Sequence, residues 1–130
     1  NTVLADGSDG ITVRARTLDD LARDLNVSQV NLLKMNIEGA EQLAIRGMAD
    51  LIDRTHHVCI GCHDFLADKG GSQRMRTKHL VREFLLEHGF ELATREDASE
   101  PWIRDYIYGV NTRLAAPPAE VLVSNTSGEQ

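Results

Sequence analysis

Two cysteines in 130 residues are too few for a disulfide framework, so a reducing, cytoplasmic setting is the expectation. No apolar run is long enough to cross a bilayer, and no membrane partner is expected. The opening "NTVLADGSDG" has neither the basic flank nor the apolar stretch of a signal peptide. Basic residues are also short. Fourteen Lys and Arg stand against twenty Asp and Glu, and the formal charge of -6 argues against a nucleic-acid partner held by its phosphates. There is no internal repeat. What is present is the make-up of an ordinary globular domain, 42% hydrophobic and 26% charged, with chain enough for a single core.

Periodicity divides the chain. Residues 1–10, with Gly7 and Gly10 among Asp and Ser, read as a loop. "ITVRA" alternates Ile11, Val13 and Ala15 with polar neighbours, which predicts a short strand. "TLDDLARDLN" predicts a helix in which Thr17 and Asp20 form a capping-box-like start and Leu18, Leu21, Ala22 and Leu25 share one face. "VNLLKMNI", Val30 to Ile37, is apolar enough for a strand covered on both faces. "EGAEQLAIRGMADLIDR" predicts a helix from Glu38 with Leu43, Gly47, Met48 and Leu51 on its buried stripe. Gly47 in mid-helix costs about 1 kcal/mol against Ala, so it implies close packing.

"HHVCIGCH" is the next strand, and the loop "DKGGSQ" leads to the helix "RTKHLVREFLLEHG". That helix starts near Thr77, turns Leu80, Val81, Phe84 and Leu85 inward and stops at Gly89. "FELATRE" and "WIRDYIYGVNTR" predict two strands joined by an acidic turn containing Pro101. From Ala115 the composition is that of a disordered tail. Strand–helix–strand units imply an α/β domain with parallel strands and right-handed crossovers, closed by an antiparallel hairpin at one edge. Ligands of such sheets bind beyond the carboxyl ends of the strands, here at "NIEG" and "CHD".

The most conspicuous motif is C-x-x-C-H at Cys59, Cys62 and His63, the spacing of covalent haem attachment and of half a zinc site. In an extended segment, residues three apart point to opposite faces, so the two thiols cannot grip one group together. A second pair of ligands with knuckle spacing is absent. Both cysteines read instead as small buried hydrophobes, with Gly61 permitting close approach. His63, followed by Asp64, stands where the strand ends and is either a partly buried, satisfied histidine or a catalytic one. His56 and His57 mark the strand's entry. "DKGGSQ" lacks phosphate-loop spacing, and Arg76 and Lys78 beside it read as a solvated helix start or as contacts to an anionic acceptor. Asn36, Glu38 and Glu41 gather at a strand-to-helix junction. There a carboxylate either serves the helix dipole, as a solvated or capping residue, or binds an amine, a metal or a cationic ligand.

With those residues in view, "TLDDLARDL" followed by "VNLLKMNIEGAEQLAIRGM" resembles the FkbM family of S-adenosylmethionine-dependent methyltransferases. Thr17, Leu18, Asp19 and Leu21 match its T-L-D-x-L helix, and Leu33, Lys34, Glu38, Gly39, Ala40 and Glu41 match its L-x-K-[ILM]-D-[IV]-E-G-A-E run. His63 at the end of a later strand and Gly89-Phe90 after a helix fit too, so that the likeness runs from about Ile11 to Arg113. Asn36 stands where the family has aspartate; an amide still hydrogen-bonds but carries no charge and cannot act as a base. The glycine-rich loop and the acidic residue that hold the cofactor in class I methyltransferases are missing.

The resemblance therefore implies a Rossmann-like class I methyltransferase sheet, represented by its C-terminal half over residues 11–114, between the loop 1–10 and the tail 115–130. It implies S-adenosylmethionine as cofactor, with the main binding motif outside this chain, and O-methyl transfer to a small-molecule hydroxyl. His63 would be the base, with Glu38 supplying negative potential beside the cationic donor or binding the acceptor. Asn36, Glu41 and Asp64 would lie near substrate or cofactor, and no metal is implied. The missing half would come from another chain or from self-association. The competing expectation is a non-catalytic assembly domain whose strand Val30–Ile37 is left as an exposed edge. A metal or haem at Cys59, Cys62 and His63 is a distant third.

Overall fold

The computed structural model describes residues 11–115. The N-terminal loop and the tail expected from the sequence lie outside them, apart from Ala115. The first regular element is helix α1, Leu18–Asp24, started by Thr17, whose Oγ1 accepts from the Asp20 N–H at 3.1 Å. Leu18 and Ala22 turn toward the core, whereas Leu21 and Leu25 stay exposed, so the expected apolar face is only half used. Asp19 fixes the helix in place by accepting from the backbone of Leu51 at 2.8 Å and Asp50 at 3.2 Å.

Two parallel strands follow. β1, Val30–Asn36, and β2, Thr55–Gly61, are paired from Val30↔Thr55 to Asn36↔Gly61 and so end level with one another. Between them the chain forms helix α2, Glu41–Arg46, and a 3₁₀ turn, Leu51–Arg54. The single long helix expected here is thus shorter and broken. It begins three residues after Glu38 and ends at Gly47, where a Cβ would meet the Thr17 side chain at 3.0 Å. Met48 and Leu51 are buried as expected, but Leu43 is not.

After β2 come a short helix α3, Asp64–Asp68, and α4, Lys78–Glu87. In α4, Val81 and Leu85 are fully buried, with Leu80 and Phe84 packed beside them. Gly89, at φ +80°, ends the helix in the left-handed conformation that glycine adopts at little cost. β3, Phe90–Ala93, is followed by α5, Pro101–Arg104, and β4, Tyr106–Asn111. "WIRD" was expected as strand, but it forms a helical turn because Pro101 occupies its first position, where a missing N–H costs nothing.

The sheet order is β1-β2-β4-β3. The last two strands pair antiparallel at one edge, as expected, with α5 in the connection between them. β4 inserts beside β2, and β3 forms the edge. Buried Asn111 secures the insertion by donating to the Thr55 carbonyl at 3.0 Å. Among the described residues, Ile11–Ala15 is not one of the four strands of the sheet, and its side chains are exposed despite the alternation.

Among the described residues the core lies on one face of the sheet. Met35, Val58, Ile60, Ile107 and Phe90 point into a core shared with Ile45, Ile52, Val81 and Leu85. The register puts three rows on the other face: Leu32–His57–Val110–Glu91, Lys34–Cys59–Tyr108–Ala93 and Asn36–Gly61–Tyr106. Leu32 is 60% exposed and Val110 50%, and a groove of about 620 Å³ runs over them. The expectation that β1 is covered on both faces therefore fails within the described residues. β1 is an edge strand with one bare face, although parallel strands ordinarily have both faces covered.

Candidate functional site

Because β1 and β2 end level, the turns that follow them lie side by side at the carboxyl edge of the sheet. After β1 the chain makes an abrupt turn through Glu38, at φ +53°, and Gly39, at φ +94°. A left-handed conformation costs a non-glycine residue roughly 1–2 kcal/mol, so something must hold Glu38 there. The holder is Glu41. Its side chain is wholly buried, and its carboxylate accepts from the Ile37 N–H at 3.2 Å and the Gly39 N–H at 2.9 Å. It also accepts from the Thr77 hydroxyl at 3.1 Å. Glu41 is therefore neither a solvated residue nor an open ligand site; its lone pairs are used within the fold. Glu38 is exposed, as is Asn36.

After β2, buried His63 leads into α3 with its ring Nδ1 3.4 Å from Glu41 Oε1. No hydrogen bond satisfies that enclosed nitrogen, whereas Nε2 is not enclosed in this way. Asp64 does not turn to the imidazole. Its Oδ1 accepts from the backbone of Thr77 at 3.0 Å and Lys78 at 3.1 Å, capping α4 from a distance. Asp105 caps α3 in the same manner, accepting from the Phe65 N–H at 2.7 Å. Its carboxyl titrates above the usual carboxylate range, chiefly because it is buried. Lys78 pairs with Glu96 at 2.9 Å and holds that carboxylate below its ordinary range. The Lys78 side chain is thus tied to Glu96 and to the Arg104 carbonyl at 2.6 Å.

The two thiols occupy different environments. Cys59 sits half-buried on the bare face, and Cys62 lies in the core. Burial pushes the Cys62 thiol up to about 12; the Thr77 hydrogen bond works against the shift, while the carboxylates of Glu41, Asp64 and Asp105 add to it. A thiol so protonated is a poor nucleophile at neutral pH. Among the described residues no group of three or more His, Cys, Asp and Glu is arranged to hold a metal ion. Titration with Ellman's reagent is expected to count one thiol in the native protein and two after denaturation; two fast thiols in the native state would contradict this placement.

Tyr106 went unnoticed in the sequence. It completes the row with Asn36 and Gly61, and a Cβ on Gly61 would meet its ring at 2.9 Å and the Asn36 Oδ1 at 3.1 Å. Gly61 thus lets an amide and a phenol ring close over the sheet at its carboxyl edge. The strand-pairing order alone reveals this, because Tyr106 is far away in sequence. Gly39 and Gly71 have no free space beside them: Met75 Sδ already fills the side of Gly39, and the Leu66 carbonyl lies 2.5 Å from a Cβ built on Gly71.

A mixed α/β sheet with its polar residues gathered at the ends of two parallel strands is the ligand-binding geometry of open α/β enzymes. Comparison then gives the family. Residues 2–92 match the family model described as "Methyltransferase FkbM domain", well over half of the chain, and the protein belongs to that family. The match ends at Leu92, so β4 and Tyr106 lie beyond it. The AMB antimetabolite synthetase AmbE of Pseudomonas aeruginosa is 29% identical over 86 residues, 65% of this chain. The chain spans only 4% of that relative's length. No solved structure matches it significantly. No helix among the described residues is long and apolar enough to cross a membrane.

Proposed function

We propose that this chain supplies the acceptor side of an S-adenosylmethionine-dependent O-methyltransferase acting on a small-molecule hydroxyl. The observation that carries this reading is the juxtaposition of the Glu38–Gly39 turn with His63, both touching the buried Glu41 carboxylate in a methyltransferase-family chain. The cofactor, when bound, supplies an electrophilic methyl group. The work left to these residues is to align a hydroxyl and remove its proton. His63 takes that proton at Nε2, the ring nitrogen that is not enclosed. Exposed Glu38 places negative charge at the same edge, and Asn36 with Tyr106 offers hydrogen bonds to the acceptor. Asp64 shapes this edge by holding α4.

The cofactor-binding half of the domain then has to come from elsewhere in a longer polypeptide or from another chain, and the bare apolar face is where it would be seated. That same face favours a second reading, a non-catalytic assembly domain, to which Asn36 in place of aspartate also lends weight. Calorimetric titration with S-adenosylhomocysteine, with the mass in solution recorded alongside, separates the two. Micromolar binding by an associated form supports a completed enzyme. Association without binding, even after addition of an N-terminal half, removes the enzyme reading.

A further inference from the structure

We infer that Glu41 is a positioning residue that fixes the tautomer of His63 and the shape of the Glu38–Gly39 turn together. This rests on the reading of His63 as the base. A neutral imidazole carries one proton, and the group facing Nδ1 decides which nitrogen has it. The Glu41 carboxylate is 3.4 Å away on Oε1, and Nδ1 is enclosed with no hydrogen-bond partner. A lone pair on Nδ1 would face an anion across a dry gap, whereas an N–H there points its positive end toward that anion. The ring is therefore protonated on Nδ1, and the lone pair is left on Nε2, the nitrogen that can meet a substrate.

The carboxylate is itself held in place. The Ile37 N–H is on Oε1, and the Gly39 N–H and Thr77 hydroxyl are on Oε2, so it is fixed by the turn after β1 and by the start of α4. One buried acid thus ties the orientation of the base to the backbone that presents Glu38 and Asn36. Other charged groups stand near: Asp64 and Asp105 both reach the Cys62 environment, but their carboxylates are engaged with the N–H groups that open α4 and α3. This leaves Glu41 as the acid that faces the ring.

Long-range ¹H–¹⁵N correlation on the ¹⁵N-labelled chain tests this without any variant. The expected spectrum has His63 Nε2 as the bare, pyridine-like nitrogen and Nδ1 as the protonated one. An Nε2-protonated ring would overturn the inference. In Glu41→Gln the neutral ring is expected to become a mixture of tautomers, and the Ile37 and Gly39 amides to exchange about tenfold faster as their acceptor weakens. A variant that folds yet leaves both signals unchanged would also overturn it. Failure of methyl transfer with the tautomer as expected would reject the reaction and leave the positioning role standing. The opposite pair of results would reject the role alone.

Discussion

Glu41→Ala is expected to destabilise the chain by about 3 kcal/mol, because several buried donors lose one acceptor at once. The Ile37 and Gly39 N–H groups and the Thr77 hydroxyl all donate to that carboxylate. The truncation also leaves a void where the side chain was wholly buried. Against a total stability of roughly 5–15 kcal/mol, this would lower the urea midpoint substantially and the melting temperature by more than 10 °C. Glu38→Ala is the internal control. It lies three residues away in the same motif but is exposed, and Ala carries the same left-handed penalty as Glu. Its effect should stay within about 0.5 kcal/mol. Urea unfolding followed by circular dichroism reads both. Equal effects from the two substitutions would show that Glu41 does not brace the turn.

That contrast shows how much of the site could be read in the sequence. "NIEGAE" was visible as a cluster at a strand-to-helix junction, and the strand ends at Asn36 and Gly61 set its edge. Which glutamate faces water was not visible. Helical periodicity run from Glu38 puts both acids on the helix, whereas the chain delays the helix to Glu41 and spends Glu38 and Gly39 on a left-handed turn. Tyr106 was hidden for another reason. Its place beside Gly61 depends on β4 entering between β2 and β3, a long-range pairing that no local pattern encodes. The elements that came out as expected, β2 and α4, are those whose apolar residues meet the core on the predicted side.

In the completed enzyme, His63→Ala is expected to lower kcat by about 10²–10⁴-fold, the ordinary worth of a positioned general base. The substitution also removes the fall in rate at low pH that a general base imposes when it is protonated. The neighbouring acid gives the discriminating comparison. If Asp64 oriented the ring, Asp64→Ala would change the pH profile along with the rate. Its carboxylate instead accepts from the first backbone N–H groups of α4, so the expected cost is about 1 kcal/mol of stability, as for loss of a helix cap, with the profile unmoved. A His63→Ala enzyme that keeps its kcat and its pH dependence would place proton removal on the acceptor or on solvent. The buried Glu41–His63 contact would then be a packing feature of the sheet edge rather than part of the reaction.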